Sequence, residues 1–241
     1  MTTLIIPCAG MGTRLGSGDT AKALTLLGKE TLLSTITNKV GSLFQQIVIV
    51  SSRSHIQDFH DFILTHPQLP KTRIVVQENP SGSLNAVNLA SIYAPDDCVV
   101  IWGDQIGVSK NTVEATLHTK NMQASFAVPR IFVSEPYVWL KFTADGKRMN
   151  GVGRTRDGDY ANQGWADLGV FYFSKESLER LRLIEGQLVS NLTDREADLI
   201  YALPLLAEEF ISYFPIRTEI SELLAINTPE DLTQAKMEFN E

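Results

Sequence analysis

The run Ile47-Val48-Ile49-Val50 constrains this chain more than any other feature. Four β-branched residues in succession cannot alternate between core and solvent. They predict a strand buried on both faces, which needs helices on either side. The surrounding sequence supplies them. Leu4-Ile5-Ile6 is a short apolar run ending in a glycine-rich loop, and Leu32, Leu33, Ile36 and Val40 then recur at helical spacing. Residues 55–64 read as helix, 73–77 as strand, and 83–93 as helix with Leu84, Val87 and Ala90 on one face. Residues 98–102 read as another buried strand and 111–120 as another helix. This alternation predicts parallel strands joined by right-handed crossovers.

The second half reads differently. Residues 124–128, 138–142 and 168–173 are strand-like with little helix between them, and glycines and charges crowd 145–159. This pattern predicts a mixed or antiparallel extension of the sheet. Helices follow at 174–183 and 195–203, then strands at 211–215 and 223–226. The last helix starts sharply, with Thr228 as N-cap, Pro229 at the first helical position and Asp231 completing a capping box.

At 241 residues the chain fits one large α/β domain. Its 21 basic and 28 acidic residues give a net charge of −7, which argues against nucleic acid or anionic lipid as a partner. No stretch approaches the roughly 20 apolar residues of a membrane span. Met1 to Pro7 is apolar, but the first basic residue is Arg14, the wrong order for a signal peptide. Cys8 and Cys98 alone make neither a disulfide framework nor a zinc site, so a cytoplasmic location is expected.

The loop Pro7-Cys8-Ala9-Gly10-Met11-Gly12-Thr13-Arg14-Leu15-Gly16 follows the first predicted strand. Its glycines let backbone N–H groups approach phosphate oxygens. Gly16 falls one residue late for the dinucleotide fingerprint, and the G-K-[ST] of a P-loop is missing. Arg14 and Lys22 bracket the loop with positive charge, which suits a triphosphate whose leaving group gains charge. The glycines alone also fit an ordinary strand-to-helix turn.

A-G-M-G-T-R-L followed by a lysine resembles the signature of the nucleotidyltransferases that activate sugar phosphates and related phosphate esters. The resemblance implies a Rossmann-like three-layer α/β sandwich with a mixed, mainly parallel central sheet, of the kind also described as GT-A-like. It implies that residues 1–122 form the nucleotide-binding half and 123–241 the acceptor-binding half of one domain. It runs from Thr3 to Leu232 and predicts no appended acyltransferase or regulatory domain. Ala9, Gly10, Gly12, Thr13 and Arg14 would hold the nucleotide, and Lys22 would contact phosphate near the reacting centre. One departure is visible: the family usually has proline before this lysine, and here it is Ala21.

Three further stations follow in the family's order. Gln77 precedes Glu78-Asn79-Pro80-Ser81-Gly82-Ser83, a turn leading into a helix that Ser83 is expected to cap. The resemblance makes Gln77 a reader of the base edge, leaning toward a pyrimidine, and packs Gly82 and Ser83 against base and ribose. Trp102-Gly103-Asp104-Gln105 sits past a buried strand, where α/β sheets gather ligands. The resemblance makes Asp104 a Mg²⁺ ligand and catalytic residue beside Arg14 and Lys22. It makes Asn227, just before the last helix, the second metal ligand.

The implied reaction is in-line attack of an acceptor phosphate or phosphonate oxygen on the α-phosphorus of a nucleoside triphosphate, releasing pyrophosphate. Catalysis is then expected to be positioning and charge neutralisation. Sugar-activating members usually carry a glutamate and an asparagine where this chain has Arg154 and Asp167. A sugar-1-phosphate remains the leading acceptor. Arg154, Trp165 and Asp167 also suit a non-sugar phosphate or phosphonate, aminoalkyl or carboxylate-bearing, giving a CDP- or CMP-linked product. Arg154 and Arg156 fit a solvated hairpin as well. A noncatalytic nucleotide sensor and an NAD(P)-dependent oxidoreductase are the competing classes. The four functional residues together oppose the first, and the glycine spacing opposes the second. A homodimer is left open.

Overall fold

The structure, a computed structural model, describes residues 2–10, 20–79, 81–146, 148–191 and 197–239. β1 (Thr3–Pro7) is followed by a short ribbon, β2 (Leu26–Leu27) and β3 (Glu30–Thr31), and by α1 (Leu32–Val40). Then come β4 (Gln46–Ser52), α2 (Ile56–Thr65), β5 (Lys71–Gln77), α3 (Ser83–Ser91), β6 (Cys98–Ile101) and α4 (Lys110–His118). β1 pairs in parallel with β4 and with β6, and β4 pairs in parallel with β5. The alternation in the first half therefore forms the parallel sheet that its pattern predicts.

The β-branched run behaves as expected. Val48 and Val50 enter one core with Leu84, Val87 and Ala90 of α3, while Ile47 and Ile49 enter a second with Leu33 and Ile36 of α1 and Phe59 of α2. All four are fully buried. Each such side chain stabilises the fold by about 1.5–3 kcal/mol, so the run commits the chain to two covered faces.

The second half contributes β7 (Phe126–Ala127), β8 (Arg130–Ser134), β9 (Val138–Phe142), β10 (Met149–Arg154), β11 (Gln163–Asp167) and β12 (Val170–Phe173). α5 (Lys175–Asn191), α6 (Leu199–Glu209), β13 (Ser212–Tyr213) and α7 (Pro229–Phe239) complete it. The main sheet has the order β13-β7-β12-β6-β1-β4-β5. Only β12 runs against its neighbours β6 and β7. Helices cover both faces, so the fold is a Rossmann-like α/β sandwich with a mixed, mainly parallel sheet.

The expected extension is only partly what forms. β12, β7 and β13 do extend the main sheet, but β8 to β11 build a separate antiparallel sheet in the order β10-β9-β11-β8. Two residues divide the sheets. Pro129 stands between β7 and β8 and has no N–H to continue the ladder. Gly169, between β11 and β12, has φ +66, and a Cβ there would come 2.8 Å from Trp102. The ribbon therefore turns a corner from one sheet into the other.

Residues 223–226 are not a strand. Ile220–Leu223 is a 3₁₀ turn, and the chain then lies beside the loop after β6. The Gly107 N–H donates to the Leu224 carbonyl at 2.8 Å and the Ile226 N–H to the Asp104 carbonyl at 3.0 Å. Ile226 is buried as a strand residue would be, but its backbone partner is a loop.

Candidate active site

The C-terminal ends of β1 and β6 lie side by side in the sheet. Beyond β1, Cys8 and Ala9 are buried and Gly10 is exposed. Gly12, Thr13 and Arg14, which the sequence assigns to phosphate binding, lie outside the described residues.

Lys22 opens a 3₁₀ turn, Lys22–Leu24, held by Leu24 N–H to Ala21 O at 2.8 Å and Thr25 N–H to Lys22 O at 3.0 Å. Ala21 and Ala23 are buried beneath it, which fixes the base of the lysine side chain. Its Nζ donates to the Asp104 carboxylate and, at 3.1 Å, to the Asn227 side-chain oxygen. Residues from three distant stretches of sequence therefore meet at one cation.

Each partner is held by its own backbone. Asp104 follows β6, and its carbonyl accepts from Ile106 and Ile226, both at 3.0 Å. Gln105 Nε2 donates to the Glu222 carbonyl at 2.7 Å, securing the segment that leads to Asn227. Asn227 is positioned by the start of α7: the Asp231 carboxylate accepts from the Asn227 and Thr228 N–H groups, each at 2.8 Å. The Cys8 thiol lies alongside. Burial pushes its pKa up, and the Asp104 carboxylate adds to the shift.

The donor set can be tested against a metal. An aspartate carboxylate and an asparagine amide oxygen are hard donors, and both face the same positive group. Mg²⁺ commonly takes one or two oxygens from protein and the rest from phosphate and water. Among the described residues no group of three or more His, Cys, Asp or Glu could hold a metal by itself. Asp104 and Asn227 thus fit an ion shared with a phosphate ligand.

The second station is built differently from its sequence reading. Gln77 is buried, and its Nε2 donates to Gly82 O at 3.1 Å and Asn85 Oδ1 at 2.9 Å. Its donors hold the turn, which leaves the carbonyl oxygen for any base. Gly82, at φ +107, precedes α3 with no side-chain cap. Ser83 does not cap its own helix. Its hydroxyl donates to Asp198 at 3.0 Å and accepts from the Leu199 N–H at 2.9 Å, at the start of α6.

The residues expected at the acceptor also change character. Arg154 is buried and all three of its nitrogens are engaged: Nε and Nη2 with Asp157 at 2.9 and 3.3 Å, Nη1 with Asp198 at 2.5 Å. Arg156 reaches the same Asp198 oxygen at 2.9 Å. The Trp165 ring holds the chain's own Arg130, whose guanidinium lies 4.3 Å from it and 4.1 Å from Phe142. Asp167 shares a strand face with Trp165 and accepts from the Gly169 N–H at 3.2 Å. Burial pushes its carboxyl up to about 6, against the lowering effect of that bond. Gly169 O in turn accepts from Trp102 N–H at 3.1 Å, linking Asp167 to the segment that carries Asp104.

Sequence reasoning missed Asp198 and Glu222. Asp198 immediately precedes α6, a signal that reading the helix from residue 195 hides. Glu222 is buried and accepts from Ser109 at 2.7 Å and from Thr112, pinning the 3₁₀ turn to α4. Nothing in its sequence neighbourhood marks it.

A lysine, a carboxylate and an amide thus converge beyond the strands of a mainly parallel α/β sheet. Residues 4–148 match the MobA-like NTP transferase domain family, more than half of the chain. The chain belongs to that family, and it is a nucleotidyltransferase. Among curated proteins no match is found. The fold is similar to a solved structure from Bacillus anthracis, assigned as a glucose-1-phosphate thymidylyltransferase and complexed with sucrose. The TM-score is 0.77 at 17% identity, covering 99% of this chain and 95% of that one. It is also similar to HddC from Yersinia pseudotuberculosis, with a TM-score of 0.66 at 18% identity, covering 99% and 100%. Among the described residues no helix is long and apolar enough to cross a membrane.

Proposed function

We propose that this enzyme transfers a nucleoside monophosphate from a triphosphate to the phosphate oxygen of a sugar-1-phosphate, releasing pyrophosphate. The convergence of Lys22, Asp104 and Asn227 carries the reading. Asp104 and Asn227 would hold Mg²⁺, which when bound neutralises charge on phosphate oxygens. Lys22 brings a fixed positive charge to the same place, so the two anionic reactants can approach each other. An acceptor phosphate is already an anion, so no strong general base is needed. The chain's own residues then act by positioning and by offsetting charge. Arg14 is assigned to the departing pyrophosphate, and the loop from Ala9 to Thr13 to the triphosphate. Gln77, Gly82 and Ser83 are assigned to the nucleoside, with a pyrimidine favoured.

Asp167 favours a second acceptor class. Among the described residues its carboxyl makes no ion pair, and burial raises its pKa. It can accept from sugar hydroxyls, or it can meet an ammonium group on an aminoalkyl phosphate or phosphonate. Arg154 and Arg156 are engaged by Asp198, which weakens the case for a carboxylate-bearing acceptor.

The test is pyrophosphate release across ATP, CTP, GTP, UTP and dTTP, each with sugar-1-phosphates, phosphocholine and aminoethylphosphonate, with Mg²⁺. Turnover is expected with one pyrimidine triphosphate and a sugar-1-phosphate. Turnover with an amine-bearing acceptor alone would replace the sugar reading with the second one. Background signal with every pair would overturn both.

A further inference from the structure

We propose that Asp198 is a positioning residue for nucleotide binding, acting by locking the Gly82–Ser83 step to the second sheet through Arg154. The proposal rests on the reading that this step packs against the nucleoside. α3 gives the step no side-chain cap of its own. Its geometry is fixed instead by residues more than a hundred positions later. Ala197 N–H donates to Ser81 O at 3.3 Å, and Leu84 N–H donates to Ala197 O at 2.9 Å. The Ser83 hydroxyl is held from both directions, by the Leu199 N–H and by Asp198 Oδ1. Gly82 lies so close that a Cβ would fall 2.4 Å from the Ala197 carbonyl oxygen.

The other oxygen of Asp198 faces the opposite way. It accepts from Arg154 at 2.5 Å and from Arg156 at 2.9 Å. Arg154 ends β10 and is itself clamped by Asp157, which also accepts from the Tyr201 hydroxyl. One carboxylate thus joins the turn after β5, the start of α6 and the end of β10. Asp198 and Arg154 are mostly shielded from water, with side chains 13% and 10% exposed. Charge-assisted bonds between shielded groups are short and directional, so they fix orientation as well as contact. Arg154, expected from the sequence to bind the acceptor, therefore serves the nucleotide side through Asp198.

Tryptophan fluorescence titration of the wild type with ATP, CTP, GTP, UTP and dTTP identifies the tightest ligand. Its Kd is then measured for Ser83→Ala, Asp198→Asn and Arg154→Lys, with melting temperatures recorded alongside. KM for the acceptor is measured by pyrophosphate release. Asp198→Asn and Arg154→Lys are each expected to weaken nucleotide binding about tenfold, with acceptor KM within about twofold of wild type. Ser83→Ala added to Asp198→Asn should weaken binding no further, because both act along one path. The conservative Arg154→Lys decides the matter if Asp198→Asn does not fold. An Arg154→Lys enzyme with raised acceptor KM and unchanged nucleotide Kd would overturn the proposal. So would lowered melting temperatures with nucleotide Kd unchanged. If Ser83→Ala weakens the nucleotide and Asp198→Asn does not, the lock alone fails. If Ser83→Ala also leaves binding unchanged, the reading of the turn fails first.

Discussion

Ala21 stands where the signature that this chain resembles usually has proline, and its backbone already has the shape proline takes. Its φ of −56 and ψ of 130 are values proline adopts unstrained, and it is buried beneath the lysine it precedes. No hydrogen bond from its N–H is present among the described residues. Ala21→Pro should therefore keep activity and raise stability by about 0.4–1 kcal/mol, by restricting the unfolded chain. Thermal melting and pyrophosphate release check both parts. Asp167 makes a second prediction. Its folded pKa, about 6, lies above the ordinary aspartate value, so the folded state binds the extra proton between about pH 4 and 6. The stability contribution of this group is present at the acid end and lost as pH rises through 6. Asp167→Asn should remove that loss. The variant should gain about 2–3 kcal/mol over wild type at pH 7 and much less at pH 4.5, read from melting curves at the two pH values.

On the proposed reading, the start of α7 connects stability to chemistry. Thr228 Oγ1 accepts from the Asp231 N–H at 3.2 Å, and the Asp231 carboxylate answers through Thr228 and Asn227. Asp231→Ala should cost about 1 kcal/mol of stability as a lost cap. It should also lower turnover at saturating substrate by about tenfold, because Asn227 loses its backbone anchor. Thr228→Ala should cost similar stability with a smaller loss of turnover, and melting curves with pyrophosphate release separate the two. This cap was legible in the sequence because it depends on residues within a single turn, Thr228 to Asp231. The β-branched run in β4 was legible for the same reason, since burial on both faces is written into four consecutive side chains. The break between the two sheets was not. It depends jointly on Pro129 and Gly169, which are 40 positions apart in the chain. The apolar residues 223–226 misled, because burial against a loop and burial in a sheet leave the same composition. Ser83 has the residue type and place of a cap for α3, yet its partner is the helix that begins at Leu199.

Across the whole molecule, the candidate site is assembled from distant segments. Lys22 comes from the turn after the glycine loop, Asp104 from the end of β6 and Asn227 from the approach to α7. The parallel sheet brings the first two to one edge, and the bonds between residues 104–107 and 222–226 bring the third. The candidate site residues stand out in the sequence because their types and order resemble a known family. The lattice that holds them, from Glu222 to Asp198, was not, since it consists of single polar side chains whose partners are far away in sequence. On the proposed reading, this three-way meeting point performs the transfer. The most direct measurement is pyrophosphate release by Asp104→Asn at saturating Mg²⁺ and triphosphate, alongside its melting temperature. A loss of about 10²–10³-fold with the fold intact is predicted. Turnover within about twofold of wild type would contradict the account.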